Sequence, residues 1–227
     1  MLRSAKLFSF LSDSDYASLA AYTQRRTHYR GAQIVSAGVV SDGIHYIVSG
    51  KVSVLLEDRN GREYVVNRLG RDEFFGEACL FSDCASPVTC IAEEPSQTVF
   101  IPRAHFVRYA QTNAAFASYL LEHVLSRLNQ AHRKIECLAL MTVYERVART
   151  LVETAEEVKG NWLVRMGSEQ IARMVGASRE MVSRVIRQMI DDGAVRKDKR
   201  LLFVTDPDLL ADAGATPAEP QHALRRT

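Results

Sequence analysis

The stretch Gly167-Ser168-Glu169-Gln170-Ile171-Ala172-Arg173-Met174-Val175-Gly176-Ala177-Ser178-Arg179-Glu180-Met181-Val182-Ser183-Arg184-Val185-Ile186-Arg187-Gln188-Met189 predicts two short helices joined by a tight turn. Ser168 is placed as N-cap of the first, because a serine hydroxyl accepts from a free amide of the opening turn. Ile171, Ala172 and Val175 form its inward face. Gly176 stops that helix, since glycine tolerates the positive φ of a sharp turn, and Ser178 caps the second. Val182, Val185, Ile186 and Met189 then fall at i, i+3, i+4 and i+7, one buried stripe. The opposite face carries Arg179, Glu180, Ser183, Arg184 and Arg187.

A solvated face beside a core stripe is the plainer reading of those polar residues. Their chemistry argues further. Arginine donates two hydrogen bonds to guanine, glutamate accepts from the cytosine amino group, and a helix fits the major groove. The segment resembles the helix-turn-helix of the cyclic-AMP receptor protein/FNR (Crp/Fnr) superfamily of bacterial transcription regulators. In the receptor-protein branch the recognition helix opens Ser-Arg-Glu and carries an arginine four residues after the glutamate, which Ser178, Arg179, Glu180 and Arg184 match. The resemblance implies a half-site similar to TGTGA.

Around this motif the charge is local. The chain of 227 residues carries a formal net charge of only +2. Between Gly160 and Val204, however, Arg165, Arg173, Arg179, Arg184, Arg187, Arg196, Lys197, Lys199 and Arg200 outnumber the acids. A phosphate-facing module needs that excess, because neutralised phosphates release counterions. Val195, a turn at Lys197-Asp198-Lys199 and Leu201 to Val204 predict a hairpin wing with a basic tip. Arg179, Glu180 and Arg184 are expected to read bases and Ser168, Lys197 and Lys199 to hold the backbone, with Ser183 and Arg187 completing the DNA-binding set. Upstream, Thr142 caps a helix with Val143, Val147, Leu151 and Val152 inward and Glu145 in its first turn.

From Tyr29 glycines recur at Gly31, Gly38, Gly43, Gly50, Gly61, Gly70 and Gly76, separating short β-favouring runs such as Ile44 to Val48 and Val52 to Leu56. That texture predicts a sandwich or barrel-like β domain. Asn60-Gly61 signals a hairpin whose two turn residues both need positive φ. The run Gly31-x-x-Ile34, Gly38, Tyr46-x-x-x-Gly50-x-Val52 resembles the cyclic-nucleotide-binding β-roll of the same superfamily.

By that resemblance, nucleotide-binding members carry Gly-Glu, a loop, then Arg-Ser-Ala-Thr, the glutamate taking the ribose hydroxyl and the arginine and serine the cyclic phosphate. Phe75-Gly76-Glu77-Ala78-Cys79-Leu80 matches the opening. With one residue missing from the loop, Ser86 stands where the arginine belongs and Pro87 where the serine belongs. A buried phosphate then loses a charge-assisted partner worth about 1.5–3 kcal/mol per bond, and proline removes a backbone donor. The family's adenine-contacting pair falls at Ala131 and His132, and Ala131 has no polar atom to offer. Cyclic AMP in the usual pose is therefore not expected. Gly76, Glu77, Ala78, Ser86, Thr89 and His132 are the candidate effector residues, Glu77 being equally readable as a structural cap. Relatives have adopted cyclic di-GMP, haem gases, iron–sulfur clusters and organic anions, among which the residues do not choose, so the cofactor is unknown.

Cys79, Cys84, Cys90 and Cys137 include no Cys-x-x-Cys pair. Three lie close enough in sequence to suggest cluster ligation. The competing reading is small buried hydrophobes. FNR-type sensors keep most ligands in an N-terminal segment, which has no cysteine here. His28, His45, His105, His123 and His132 show no metal spacing. An enzyme with Cys79 or Cys84 as nucleophile has no support beyond those residues, and no catalytic role is expected.

Ala114, Ala117, Leu121, Val124, Leu128, Ala131, Ile135 and Leu138 alternate steps of three and four, a heptad seam that needs a partner helix. Arg127, Arg133 and Lys134 are expected to stay wet. Packing on the chain's own β domain is the alternative. A homodimer through 114–138 suits two half-sites a helical turn apart. The whole is an α+β chain: β-roll sensor at 1–111, dimerisation helix and hinge at 112–140, winged helix-turn-helix at 141–206, and a disordered tail at 207–227. Expected partners are double-stranded DNA, a second copy, a small-molecule effector and, by resemblance, RNA polymerase. With no apolar run near the roughly 18 residues of a membrane span and no signal sequence, the expected location is the cytoplasm.

Overall fold

A computed structural model describes residues 6–9, 11–81, 84–158, 160–198, 201–205 and 210. The chain divides into two compact units, Met1–His132 and Arg133–Thr227.

In the first unit, helix α1 (Asp13–Tyr22) is capped by Ser12, whose hydroxyl accepts from the Asp15 amide at 3.2 Å. Among the described residues the strands that follow are β1 (Gln24–His28), β2 (Gln33–Val35), β3 (Gly43–Ser49), β4 (Val52–Glu57), β5 (Glu63–Leu69), β6 (Phe74–Phe75), β7 (Thr89–Ala92) and β8 (Ser96–Pro102). They form two four-stranded antiparallel sheets, ordered β1-β8-β3-β6 and β2-β7-β4-β5. Alternation along β3 sets the layers. Ile44 and Tyr46 join a core with Val99 and Ile101 that also takes in Phe106 and Tyr109 of α2 (Arg103–Thr112) and Phe116 and Leu120 of α3 (Ala114–Leu140). Ile47, on the other face, packs with Val35, Val52, Val54, Leu69, Phe75 and Cys90.

The β4–β5 hairpin forms where Asn60-Gly61 predicts it, but with a different turn. Only Gly61 has positive φ, at 74°. The loop is longer than two residues: the Asp58 amide donates to Arg62 O at 2.9 Å, and the Asp58 carboxylate accepts from the Asn60 and Arg62 amides at 2.8 and 2.9 Å. Those carboxylate bonds close the turn without a second left-handed residue.

Helix α3 starts from Asn113, whose side-chain oxygen accepts from the Phe116 amide at 2.9 Å. Phe116 and Leu120 bury one flank against the β domain. The predicted seam lies on another flank: Leu121, Val124, Leu128, Ile135 and Leu138 are 61%, 50%, 47%, 61% and 39% exposed.

In the second unit, α4 (Val143–Thr154) opens with a reciprocal box, the Glu145 amide donating to the Thr142 hydroxyl and the Thr142 amide to the Glu145 carboxylate. Then come β9 (Glu156–Val158), β10 (Asn161–Val164), α5 (Ser168–Val175), α6 (Arg179–Asp191), β11 (Val195–Asp198) and β12 (Leu201–Val204). The sheet order is β11-β12-β10-β9, so the predicted wing is extended by a second hairpin. That hairpin escaped the sequence reading because Glu156-Glu157-Val158 shows no apolar alternation, all three residues being exposed. One expected cap is corrected: Gly167 occupies the N-cap of α5 and Ser168 is its first helical residue. The Gln170 side chain accepts from the Gly167 amide at 3.1 Å, which sets the helix start one residue earlier. Lys199 lies outside the described residues. Of the expected tail, Leu210 alone is described; it is helical and buried in the core of this unit.

Gly50 sits at φ 93°, and a Cβ built there meets Ser96 Cα at 2.7 Å and Ser96 Cβ at 2.6 Å. Gly50→Ala is expected to destabilise the first unit by about 1–3 kcal/mol, read from denaturant midpoints.

Candidate nucleic-acid interface

The turn between α5 and α6 is built by backbone chemistry. Gly176 adopts φ 65°, ψ 44°, and the Ala177 amide donates to Ala172 O at 3.2 Å. Ser178 is extended, its hydroxyl accepting from the Met181 amide at 3.2 Å. The inward stripe Val182, Val185, Ile186 and Met189 is buried among Val147, Leu151, Ile171 and Val175. With that stripe buried, helical geometry places Arg179, Glu180, Arg184 and Arg187 in solvent, with Ser183 half-buried. No ion pair to another described residue holds Arg179, Arg184 or Arg187. On the wing Lys197 is exposed, and the Arg196 guanidinium lies 4.4 Å from the Phe203 ring centroid. Ser168 is half-buried at the start of α5. The result is a helix face of exposed guanidinium and carboxylate groups over a buried core, chemistry suited to base edges and phosphates.

The predicted effector residues are arranged differently from a waiting ligand site. Gly76 takes φ 97° and a Cβ there would meet Gly43 O at 2.8 Å, so this glycine serves a close backbone approach. Glu77 opens a short 3-10 turn and is ion-paired with Arg127, which also donates to Phe74 O. This corrects the expectation that Arg127 stays wet. Arg127 follows Phe116, Leu120 and His123 at helical spacing, so it shares the face of α3 that packs on the β domain; that register was the missed signal. The Ser86 hydroxyl donates to Val88 O at 2.8 Å, and Thr89 Oγ1 accepts from the Ala37 amide at 3.2 Å. Ala78 and His132 are exposed. A cleft of about 610 Å³ opens elsewhere, beside Ser41, Asp42, Phe81, Arg103, Arg108 and Gln111, lined by none of these residues.

Two histidines far apart in sequence meet in this unit. His28 and His45 both reach Thr98 Oγ1, at 2.9 and 3.4 Å, and the His45 ring stacks on Phe75 at 5.1 Å. Burial first, then the nearby Arg26 and His28, push the His45 pKa down to about 3. Cys90 is buried in the β core and its thiol is pushed up to about 12, chiefly by burial and then by Glu77. Cys84 is exposed, and Cys137 accepts from the Arg149 guanidinium at 3.2 Å. Among the described residues, no group of three or more histidine, cysteine or acidic side chains could hold a metal, and no helix is long and apolar enough to cross a membrane.

Comparison with known proteins agrees with this geometry. The cyclic nucleotide-binding domain family model matches residues 25–113, and the Crp-like helix-turn-helix domain model matches residues 145–213. The chain belongs to the Crp/Fnr superfamily of transcription regulators. Like its Crp/Fnr relatives it is a DNA-binding transcription regulator with a cyclic-nucleotide-binding domain, and not an enzyme. It is 29% identical over 195 residues to Vfr, the cAMP-activated global transcriptional regulator of Pseudomonas aeruginosa, covering 82% of this chain and 91% of Vfr. It is 25% identical over 211 residues to the cyclic AMP receptor protein of Thermus thermophilus, covering 93% of this chain and 97% of that one. The structure of the c-di-GMP responsive global regulator CLP of Xanthomonas campestris superposes with a TM-score of 0.74 at 26% identity, over 86% of this chain and 100% of that chain. A Crp/Fnr-family structure from Eubacterium rectale shares the fold with a TM-score of 0.81 at 21% identity, over 91% of this chain and 96% of that chain.

The His45 pKa, lowered from 6.5 to about 3, has a definite consequence for stability. Between those values the unfolded chain binds a proton that the folded chain refuses, so stability is full above the upper value and falls as pH drops. Between about pH 6 and 5, a single such site contributes a slope of at most about 1.4 kcal/mol per pH unit. His45→Gln is expected to flatten the slope of unfolding free energy against pH in that window.

Proposed function

We propose that this regulator works as a homodimer that reads a TGTGA-like inverted repeat through α6, under an effector other than cyclic AMP in its usual pose. The observation that carries the reading is the recognition helix itself: a first turn fastened by Ser178, with Arg179, Glu180 and Arg184 exposed over a buried stripe. Arg179, Glu180, Ser183, Arg184 and Arg187 contact bases and their neighbouring phosphates; Ser168, Lys197 and Lys199 hold the backbone. The exposed seam from Leu121 to Leu138 supports the dimer, since a second copy would cover it and a two-fold protein matches two half-sites. RNA polymerase is the proposed protein partner and the cytoplasm the proposed location.

The phosphate of cyclic AMP would meet a lining that lacks its charged partner. Vfr is cAMP-activated by name. The same ligand would here find Ser86 and Pro87 in place of an arginine and a serine, with the Ser86 and Thr89 hydroxyls already engaged. Glu77 is held by Arg127. Gly76, Glu77, Ala78, Ser86, Thr89 and His132 remain the proposed effector residues. A second reading has its own support: likeness to the c-di-GMP responsive CLP favours cyclic di-GMP as the controlling ligand. An effector acts only through unequal affinity for the DNA-competent and incompetent arrangements. Duplex titrations with cyclic AMP, cyclic di-GMP, oxidant or no addition separate these readings, and an absorbance spectrum of fresh protein reports haem or an iron–sulfur cluster.

Arg184→Ala is expected to lower affinity for the inverted repeat by about 1–3 kcal/mol and to blur one base position. Lys197→Ala should weaken binding to all duplexes alike and flatten the salt slope. Equal losses for Arg184→Ala on specific and random duplex would sink the base-reading assignment. Leu128→Glu places a charge in the seam, and sedimentation equilibrium is expected to show monomers; a variant that stays dimeric refutes the seam as the interface.

A further inference from the structure

We propose that Met181 reads thymine, laying its side chain on the C5-methyl group of a thymine beside the base pair that Arg184 contacts. The assignment deepens the DNA-reading role of α6 and rests on it.

Met181 is 38% exposed, whereas Val182, Val185, Ile186 and Met189 are buried. Among the exposed residues of α6 it is the apolar exception: the others are Arg179, Glu180, Arg184, Arg187, Gln188 and Asp191. Its backbone is fixed, because its amide donates to the capping Ser178 hydroxyl at 3.2 Å. Side chains on a helix lean toward its N-terminus, so the thioether covers the opening turn, the part of a recognition helix that meets base edges. Arg184 and Gln188 follow at i+3 and i+7 on the same flank.

The major groove presents hydrogen-bonding groups at every base pair, but one apolar group, the thymine methyl. The polar side chains of α6 can sort guanine, cytosine and adenine by donor and acceptor pattern. Their hydrogen-bonding ends gain nothing from a methyl group. Met181 does gain, because its flexible, polarisable chain adapts to a small apolar partner. Burying one methyl group, at about 0.8 kcal/mol, corresponds to about a fourfold gain in affinity per half-site.

The experiment uses the full chain and a duplex that it selects from a random pool. Each thymine of the selected site is replaced in turn by deoxyuridine, which removes only the methyl group, and binding is measured for the wild type, Met181→Leu and Met181→Ser. One thymine per half-site is expected to cost the wild type and Met181→Leu about fourfold on replacement, while Met181→Ser binds both duplexes equally. Matching thermal midpoints for the three proteins check folding. If uracil is tolerated everywhere by the wild type, or if Met181→Ser keeps the penalty, the assignment is overturned while sequence reading by α6 stands. If the pool yields no enriched sequence, the base-reading role of α6 falls, and the assignment to Met181 with it.

Discussion

The second unit depends on one packing constraint, the burial of Val182, Val185, Ile186 and Met189 against α4 and α5. Each such side chain contributes on the order of 1.5–3 kcal/mol on leaving water. The stripe therefore has no alternative face to present, and the 3.6-residue period obliges Glu180, Arg184 and Arg187 to point the other way. Gly176 and Ser178 complete the constraint by setting where α6 begins, so that Arg179, Glu180 and Arg184 occupy its first two turns. The outward placement of these polar groups is thus a by-product of core packing: the buried side of the helix fixes the exposed one.

The first unit solves a different problem. Its β3 strand is buried on both faces, one against the helices and one between the sheets. A strand in that position tolerates a polar residue only with partners, and His45 has them in Thr98 and the Phe75 ring, at the cost of being held neutral. Nearby, Glu77 is satisfied by Arg127 rather than left open. A part-buried carboxylate needs such a partner, so the arginine on α3 and the glutamate on the sensor turn hold each other in place. The helix that carries the seam is in this way fastened to the turn that opens at Gly76.

Much of this was readable from residue order. The capping box of Thr142 and Glu145, the left-handed stop at Gly176 and the cap at Ser178 are local chemistry, decided within a few residues, and each stands where expected. Two departures from expectation are equally local. Gln170 moved the start of α5 by one residue, and Asp58 closed the β4–β5 turn through its carboxylate rather than through two left-handed residues. In both, a neighbouring side chain offered a better partner to a backbone amide than the residue first considered. The β9–β10 hairpin was illegible because its edge strand is exposed on every residue and pairs on one side only.

By itself the sequence determined the periodicities: which residues form the inward stripe of α6, which form the exposed seam of α3, and where glycine must turn the chain. Those follow from 3.6- and 2-residue repeats and from steric rules that act between neighbours in the chain. Only the tertiary structure decided which distant groups share a partner: Arg127 with Glu77, His28 with His45 through Thr98, and Leu210 with the core of the second unit. The physical reason is that an ion pair or a buried hydrogen bond is settled by a few ångströms in space, and separation along the chain carries no trace of that distance.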